Sequence, residues 1–550
     1  MTHAGRALIE TLEGQGVTAI FTVPGESFLA ALDGMHDASA IRPIICRQEG
    51  GAAMMADAWG KVTGEPGICF VTRGPGIANA MSGLHVAQQD STPMILFVGL
   101  PASDTEDRES FQEFDVKGLL TTFVKWSAVI RDASRIGEYV SRAFHVAMSG
   151  RPGPVVLGLP EDMLAGEIAA APKLPPAMPA RAMPDQGDVG RAIKTLVDAE
   201  RPLIIVGGPG WSADACKNLQ AFSEATGVPV ATSLRAQDYF DNRHPNYVGC
   251  VGIGIDKTLA DAVRDADVLM VIGARLGEMT TSGYTLVDSP VPKQRLIHVH
   301  PDPSELGTVY RAAHPIASDT AAFAEALAGA ETPDARNATR ARTEDLNQAY
   351  RATLKPIGTP GDVQPDRIIQ MLSETLSDDA IVCNGAGNYA AFLHRYFGYK
   401  TYRSQLAPTS GSMGYGLPAG IAAKIAEPDK PVVVLAGDGC FMMTSQELAT
   451  AMQYDLAMVI IVANNGMYGT IRMHQEREYP TRTVGTELRN PDFAAFAQAF
   501  GARGETVTRT EDFAEALKRA QTANGPALIE LKIDPEAISP RQTLSQVRGD

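Results

Sequence analysis

The sequence predicts an α/β fold of three domains, each built on a doubly wound parallel sheet. Short runs of Val, Ile and Leu alternate with longer helical patterns along the chain, and this alternation is typical of parallel sheets covered by helices. The length of 550 residues is enough for about three or four domains. A proline-rich segment and a polar, Ala-rich segment divide the chain. We therefore predict an N-terminal unit at 1–165, a linker at 166–190, a central unit at 191–335, a linker at 336–362 and a C-terminal unit at 363–550.

The strand candidates repeat this pattern in each unit. The N-terminal unit has candidates at 19–23, 43–46, 67–71, 94–99 and 155–159. The central unit has them at 203–206, 228–231, 268–272 and 296–299. The C-terminal unit has them at 380–383, 432–435, 458–462 and 527–531. The glycine-rich residues 207–210 follow a central strand but lack the full GxGxxG pattern, so they give only a weak signal for dinucleotide binding.

Composition and charge exclude several classes of function. Hydrophobic residues make up 45% of the chain and charged residues 20%, as in a soluble globular protein. The net charge of −16 comes without a long basic block, which argues against nucleic acid as the main partner. No apolar run is long enough to predict a membrane span, and residues 1–17 lack the pattern of a secretion signal.

Six cysteines are scattered along the chain, and no pair has metal-ligand spacing. We interpret them as reduced residues of a cytoplasmic protein. They are Cys46, Cys69, Cys216, Cys250, Cys383 and Cys440.

Polar side chains follow two neighbouring strands of the predicted C-terminal sheet. Strand 432–435 leads into Gly437-Asp438-Gly439, and strand 458–462 leads into Asn464-Asn465. A right-handed βαβ crossover brings the carboxyl ends of these strands side by side, where ligands bind in open α/β sheets. Asp438 and Asn465 offer the oxygen ligands that suit Mg²⁺ beside substrate phosphates, and the glycines let the backbone approach a diphosphate. An ordinary turn with a capping Asp is the alternative for GDG alone; the Asn pair at the second strand end favours the diphosphate site.

This pattern resembles the signature of thiamine diphosphate enzymes, in which a GDG motif is followed by 24 residues and then by an NN pair. The segments RQEGGAAMMADAWGKVTG at 47–64 and TSGSMG at 409–414 extend the resemblance to the acetolactate synthase (acetohydroxyacid synthase)-like branch, over nearly the whole chain. The resemblance implies a pyrimidine-binding, a central and a diphosphate-binding domain. It also implies thiamine diphosphate and Mg²⁺ as cofactors.

Glu49 by itself is typical of a carboxylate at a helix N-terminus, where the helix dipole favours it. The resemblance implies instead that Glu49 touches N1′ of the aminopyrimidine and so activates the cofactor. It also implies that Met413 wedges under the bent cofactor, that the Gly411 carbonyl accepts from the 4′-amino group, and that the Met467 carbonyl joins Asp438 and Asn465 on the metal. The cofactor contacts implied in full are Pro24, Gly25, Glu49, Gly76, Ala386, Gly387, Asn388, Tyr389, Gly411, Met413, Gly437, Asp438, Gly439, Cys440, Asn465, Met467, Tyr468 and Gly469.

Three residues are candidates for contact with substrate. The resemblance implies that Gln112 lines the active site; His85 is a catalytic candidate, although a lone His is more often structural. His474 stands where biosynthetic synthases have a tryptophan that helps select the acceptor, so the substrate here can differ. The simple decarboxylases of the family carry a His-His pair, and this sequence has none. The stretch 274–285 lacks the acidic-basic run that helps hold flavin, which argues against FAD.

We therefore expect a thiamine diphosphate- and Mg²⁺-dependent carboligase. It would decarboxylate a pyruvate-like 2-ketoacid and add the carbanion to an acceptor carbonyl. A related thiamine diphosphate lyase, decarboxylase or C–C hydrolase, and a non-catalytic binding protein, are the alternatives. Because family members assemble their sites between two chains, we expect a homodimer or homotetramer without nucleic acid or membrane partners.

Overall fold

The computed structural model describes residues 2–169, 174–332 and 335–549. It contains three parallel six-stranded sheets, one in each predicted unit, with helices packed on them. The predicted fold class is therefore confirmed, while the domain boundaries stay a prediction. Within the described residues the six cysteines are free, and no helix is both long and apolar enough to cross a membrane.

The N-terminal unit forms a sheet with strand order β3-β2-β4-β5-β7-β6 and a separate antiparallel pair of β1 with β8. Its strands are β1 (Thr2–His3), β2 (Ala19–Thr22), β3 (Arg42–Ile45), β4 (Gly67–Val71), β5 (Met94–Leu100), β6 (Trp126–Val129), β7 (Pro154–Pro160) and β8 (Glu167–Ile168). Its helices are α1 (Ala4–Gly14), α2 (Leu29–Asp37), α3 (Glu49–Thr63), α4 (Gly74–Asp90), α5 (Val116–Leu120), α6 (Ile136–Met148) and α7 (Glu161–Ala165). Helices α1, α2 and α6 bury one face of the sheet, and α3 and α4 bury the other, so the sheet is doubly wound.

The central unit has strand order β11-β10-β9-β12-β13-β14. Its strands are β9 (Pro202–Val206), β10 (Val230–Ser233), β11 (Tyr247–Val251), β12 (Val268–Ile272), β13 (Arg295–His300) and β14 (His314–Ala317), and its helices are α8 (Gln186–Val197), α9 (Ala213–Thr226), α10 (Lys257–Asp265) and α11 (Thr320–Gly329). The sequence missed β11 and β14, the two edge strands, because Gly249 and Pro315 weaken their strand signal. Helix α8 begins inside the segment predicted as a linker, of which residues 170–173 lie outside the described residues.

The C-terminal unit has strand order β16-β15-β17-β18-β20-β19. Its strands are β15 (Ile381–Asn384), β16 (Gln405–Leu406), β17 (Val432–Gly437), β18 (Val459–Asn464), β19 (Arg503–Val507) and β20 (Ala527–Lys532). Its helices, with α12 in the segment predicted as a linker, are α12 (Asn337–Thr353), α13 (Pro365–Thr375), α14 (Tyr389–Tyr396), α15 (Gly416–Ala426), α16 (Asp438–Met442), α17 (Leu448–Gln453), α18 (Gly469–Glu478), α19 (Phe493–Ala499), α20 (Phe513–Gln521) and α21 (Leu544–Arg548).

The N-terminal and C-terminal sheets share one hydrophobic core. Helix α3 packs against α15 across the boundary between the two units. Small residues on both helices make this close approach possible, since α3 begins Glu49-Gly50-Gly51-Ala52-Ala53. The two predicted cofactor-binding units are therefore packed on each other within one chain.

Candidate active site

The two strand ends that carry the GDG and Asn-Asn motifs lie next to each other. Strands β17 and β18 pair in parallel with Gly437 opposite Ala463, which brings Asp438 beside the Asn pair. The Asp438 carboxylate accepts hydrogen bonds from the N–H of Gly439 at 2.8 Å and of Gly466 at 2.9 Å. Burial raises the pKa of Asp438, against the effect of these hydrogen bonds.

The predicted metal ligands form a donor set that fits Mg²⁺. Asp438, Asn465 and Met467 line one cavity and can offer a carboxylate, an amide oxygen and a backbone carbonyl. Mg²⁺ is commonly held by one or two carboxylates together with substrate phosphates. The described residues contain no cluster of three or more His, Cys, Asp or Glu side chains suited to a metal. The mixed set of one carboxylate, one amide oxygen and one backbone carbonyl is therefore the candidate metal site.

The cavity at these strand ends has a volume of about 250 Å³, and we call it the C-terminal cavity. All fourteen cofactor contacts predicted in the C-terminal unit line it: Ala386, Gly387, Asn388, Tyr389, Gly411, Met413, Gly437, Asp438, Gly439, Cys440, Asn465, Met467, Tyr468 and Gly469. A Cβ added to Gly437 would lie 2.8 Å from the Tyr389 ring, and one added to Gly439 would lie 2.6 Å from the Tyr468 ring. Close packing of two aromatic rings therefore requires glycine at both positions.

Cys440 joins two walls of the C-terminal cavity. Its Sγ accepts hydrogen bonds from the Gly414 N–H and from the Tyr389 hydroxyl, both at 3.2 Å. Burial raises the pKa of the thiol, which keeps it protonated. Cys440 therefore packs between the two walls as a neutral thiol.

A second group of predicted residues gathers at the carboxyl ends of β2, β3 and β4. Glu49 is the first residue of α3, and its Oε2 accepts a hydrogen bond of 2.9 Å from Asn79 on α4. Gly76 lies in the first turn of α4. Gly25 follows Pro24 after β2, and a Cβ added there would lie 2.6 Å from Thr72.

Gln112 lies beside this group, in a loop that contacts the start of α4. Its φ is +59°, and its carbonyl accepts a hydrogen bond of 3.0 Å from the Gly74 N–H. We call Pro24, Gly25, Glu49, Gly76 and Gln112 the N-terminal half-site. The buried guanidinium of Arg73 holds the loop, since it donates to the Phe111 carbonyl at 3.2 Å.

Within one chain, the predicted site residues lie in separate parts of the structure. No member of the N-terminal half-site lines the C-terminal cavity. His85 lines a different cavity of about 570 Å³, which Gly411 also reaches, and its ring stacks on Phe123 at 5.8 Å. The side chain of His474 is exposed on α18 with Nδ1 3.4 Å from Arg477, and it does not line the C-terminal cavity.

Several residues that support these sites were missed by the sequence reasoning. Asn490 donates hydrogen bonds to Asp438 at 2.7 Å and to Asn464 at 3.0 Å, and it comes from a loop with no recognisable motif. The buried Glu447 accepts from the N–H groups of Arg47 and Gln48, immediately before Glu49. Its position nine residues after Asp438 gave no signal of a partner about 400 residues away in sequence.

The comparisons with known proteins match a part of each of the three units. Three family models match it: "Thiamine pyrophosphate enzyme, N-terminal TPP binding domain" over residues 2–119, the "central domain" over 189–327 and the "C-terminal TPP binding domain" over 385–531. The chain belongs to the thiamine pyrophosphate enzyme family. The N-terminal half-site lies within the first match, and the C-terminal cavity lies mainly within the third.

The relatives of this thiamine pyrophosphate enzyme include acetolactate synthase subunits. The acetolactate synthase large subunit of Corynebacterium glutamicum is 32% identical over 98% of this chain and 87% of its own. The probable acetolactate synthase large subunit of Methanocaldococcus jannaschii is 32% identical over 97% of this chain and 92% of its own. The acetolactate synthase isozyme 2 large subunit of Escherichia coli is 30% identical over 96% and 95%. The predicted resemblance is therefore confirmed.

Proposed function

We propose that this thiamine pyrophosphate enzyme is a Mg²⁺-dependent carboligase that decarboxylates a pyruvate-like 2-ketoacid and joins the remaining two-carbon unit to an acceptor carbonyl. The observation that carries the proposal is the C-terminal cavity, which gathers every cofactor contact predicted in that unit around paired strand ends. The acetolactate synthase relatives support the reaction class.

The C-terminal cavity supplies the groups that would hold the cofactor. Bound thiamine diphosphate supplies a nucleophilic carbon and an electron sink for decarboxylation. Asp438, Asn465 and the Met467 carbonyl would hold the Mg²⁺ ion. Met413 is a flexible apolar side chain suited to supporting the bend of the cofactor, and the Gly411 carbonyl accepts from its amino group.

Glu49 supplies the acid group for the aminopyrimidine. Its carboxyl group would share a proton with N1′ of the bound ring, and this acid–base contact would make the amino nitrogen of the ring a better proton acceptor. The hydrogen bond from Asn79 orients the carboxyl group. Gln112 would face the substrate. His85 lines a separate cavity that Gly411 also reaches, and His474 is exposed outside the C-terminal cavity, so contact of these two residues with substrate stays a prediction.

The complete site lies between two chains. The C-terminal cavity of one chain lacks an acid for the aminopyrimidine ring, because no N-terminal half-site residue lines it. A second copy of the chain brings its own Glu49 to that cavity, so the smallest active form is a dimer. A cytoplasmic location and a site without FAD stay predictions; flavin absorbance in the purified protein would contradict the second.

Product analysis tests the reaction. Purified protein is incubated with pyruvate, thiamine diphosphate and Mg²⁺, and we expect acetolactate and CO₂. Asp438→Asn removes the metal carboxylate and should abolish product, whereas Asp429→Asn changes an exposed acid outside the cavity and should not.

Other products would select the alternatives. Acetaldehyde without acetolactate would identify a decarboxylase. Because His474 stands where biosynthetic synthases have a tryptophan, the substrate can differ from theirs, and a panel of 2-ketoacids and acceptors follows. Tight thiamine diphosphate binding with no turnover on the whole panel would contradict the enzyme proposal and identify a binding protein.

A further inference from the structure

A buried charge cluster lies at the boundary between the N-terminal and C-terminal units, and we call it the lysine cluster. It consists of Asp57 and Lys61 on α3 and Asp90 at the end of α4. The side chains of Asp57 and Asp90 are 0% and 2% exposed. Lys61 Nζ lies 2.8 Å from Asp57 and also pairs with Asp90. One ammonium group thus serves two buried carboxylates.

The lysine cluster contacts two residues of the C-terminal unit. The Tyr415 hydroxyl donates a hydrogen bond of 2.6 Å to Asp57 and accepts one of 3.1 Å from Lys61. Asp90 Oδ1 accepts a hydrogen bond of 2.9 Å from the Thr409 N–H and another from its hydroxyl. Thr409 and Tyr415 flank a single loop, residues 409–415.

This loop carries two of the residues proposed to hold the cofactor. Gly411, at φ +70°, and Met413 both line the C-terminal cavity. The far end of the loop is held within the C-terminal unit, because the Gly414 carbonyl accepts from Thr444 at 2.7 Å and its N–H donates to Cys440. At the near end, the Gly411 N–H donates to the Pro408 carbonyl at 3.2 Å, and Thr409 is held by Asp90 of the N-terminal unit.

We propose that Asp90 is a positioning residue of the cofactor site: held by Lys61, its carboxylate fixes Thr409 and thereby sets Gly411 and Met413 against the cofactor. The inference rests on the proposed function, because it needs those two residues to contact thiamine diphosphate. Asp90 acts through Thr409 and does not itself line the C-terminal cavity.

The placement of α3 and α4 gives the lysine cluster a second consequence. Both helices begin at the N-terminal half-site, α3 with Glu49 and α4 two residues before Gly76, and both reach the lysine cluster toward their other ends. In a dimer, Glu49 would serve one cofactor while the 409–415 loop of the same chain would serve the other. The lysine cluster therefore connects the helices of the N-terminal half-site to the 409–415 loop within each chain.

Cofactor binding and C2 proton exchange test the proposal without knowledge of the substrate. Asp90→Ala removes both hydrogen bonds to Thr409, so we expect the dissociation constant for thiamine diphosphate, measured by titration calorimetry with Mg²⁺, to rise at least about tenfold. Deuterium exchange at C2 of the bound cofactor, measured by NMR after acid quench, should slow by a similar factor. Asp90→Asn keeps an oxygen that accepts the Thr409 N–H and should restore binding to within about threefold.

Two further variants separate positioning from folding. Asp57→Asn removes a carboxylate from the same cluster but keeps an acceptor for Tyr415, so it should lower the melting temperature and leave the dissociation constant within about twofold. Thr409→Val removes only the hydroxyl hydrogen bond and should weaken binding about threefold even if Asp90→Ala does not fold.

The outcomes distinguish this inference from the proposed function. Wild-type protein that binds no thiamine diphosphate would overturn both. If the wild type binds thiamine diphosphate, and Thr409→Val and a folded Asp90→Ala bind it with the same dissociation constant, only the inference is overturned. Equal losses in Asp57→Asn and Asp90→Ala would also overturn it, since they would indicate general destabilisation of the boundary.

Discussion

Glu49 is a helix N-terminal carboxylate and also the proposed acid of the cofactor site. As the first residue of α3 it is favoured by the helix dipole, and its hydrogen bond to Asn79 ties it to α4. Glu49 can have both roles at the same position, because a helix N-terminus at the carboxyl edge of a parallel sheet faces the ligand. Its placement therefore does not decide the catalytic role, which only substitution tests.

Glu49→Gln should slow deuterium exchange at C2 of the bound cofactor by at least about a hundredfold, because the amide cannot hold a proton at N1′. Cofactor affinity should change far less, since the diphosphate and metal contacts remain. Quench NMR in D₂O measures the exchange, and Glu65→Gln, an exposed acid just after α3, is the control. Exchange at the wild-type rate in Glu49→Gln would remove the proposed role of this residue.

At the scale of elements, the C-terminal helix α21 is attached to α18, the helix that follows the metal ligands. The buried Glu476 of α18 pairs with Arg472 at 3.0 Å and with Arg548 of α21 at 3.0 Å. An apolar group formed by Met467, Ile538 and Leu544 lies beneath the contact. Because Met467 and Ile538 also line the C-terminal cavity, α21 packs behind part of its wall through Leu544.

Glu476→Gln should lower the melting temperature, because it leaves Arg472 and Arg548 without their buried carboxylate; breaking such a pair costs about 3 kcal/mol. The Thr481 N–H, Arg548 and Arg472 lower the pKa of Glu476 to about 2. Ionised Glu476 therefore stabilises the folded protein fully at pH values above the pKa of an unfolded Glu, about 4.3. This stabilisation is lost as the pH falls toward the pKa of Glu476 in the folded protein.

The difference in melting temperature between wild type and Glu476→Gln should therefore be constant from neutral pH to about pH 5 and shrink below it. Calorimetric scans across this range measure it, with Glu478→Gln, an exposed acid on the same helix, as the control. A difference that is the same at pH 4 and pH 7 would contradict the assigned ion pairs.

On the scale of the whole molecule, the contact between the central and C-terminal units includes a buried acid, Asp238. Its carboxylate accepts hydrogen bonds from the N–H of Ser404 at 3.0 Å and of Gln405 at 3.2 Å. Burial raises the pKa of Asp238 to about 7. Because the folded protein then binds a proton that the unfolded chain has already released, stability falls as the pH rises from about 4 to 7.

Asp238→Asn removes this penalty while keeping an oxygen for the two N–H donors. Its melting temperature relative to wild type should therefore rise as the pH increases from 5 to 8, by about 2 °C or more. Thermal scans at both pH values measure the change, and the exposed Asp214→Asn in the same unit should show no such trend. A gain that is larger at pH 5 would reverse the assigned pKa direction.

The division of the site between two chains is also a property of the whole molecule. Two inactive variants, Glu49→Gln and Asp438→Ala, are co-expressed with different affinity tags, and the mixed dimer is purified through both tags in turn. One of its two sites pairs an intact Glu49 with an intact Asp438, so we expect about half of the wild-type activity per dimer. No recovery in a verified mixed dimer would show that both residues must belong to one chain.

The sequence by itself determined the fold class and, through the family resemblance, fourteen of the residues that line the C-terminal cavity. The glycines and the paired oxygen ligands follow parallel strands directly, and local pattern fixes which strand ends meet. It also determined the family, since the motifs are spaced along nearly the whole chain. Edge strands β11 and β14 were missed because short, Gly- or Pro-containing segments have little periodicity.

Only the tertiary structure decided which predicted site residues share a cavity and which other residues support them. The separation of Glu49 from the C-terminal cavity, the Asn490 contact to Asp438 and the attachment of Thr409 to Asp90 all join positions far apart in sequence. Such contacts depend on how domains pack, and the packing of α3 on α15 is set by the shape of a shared core rather than by any local pattern.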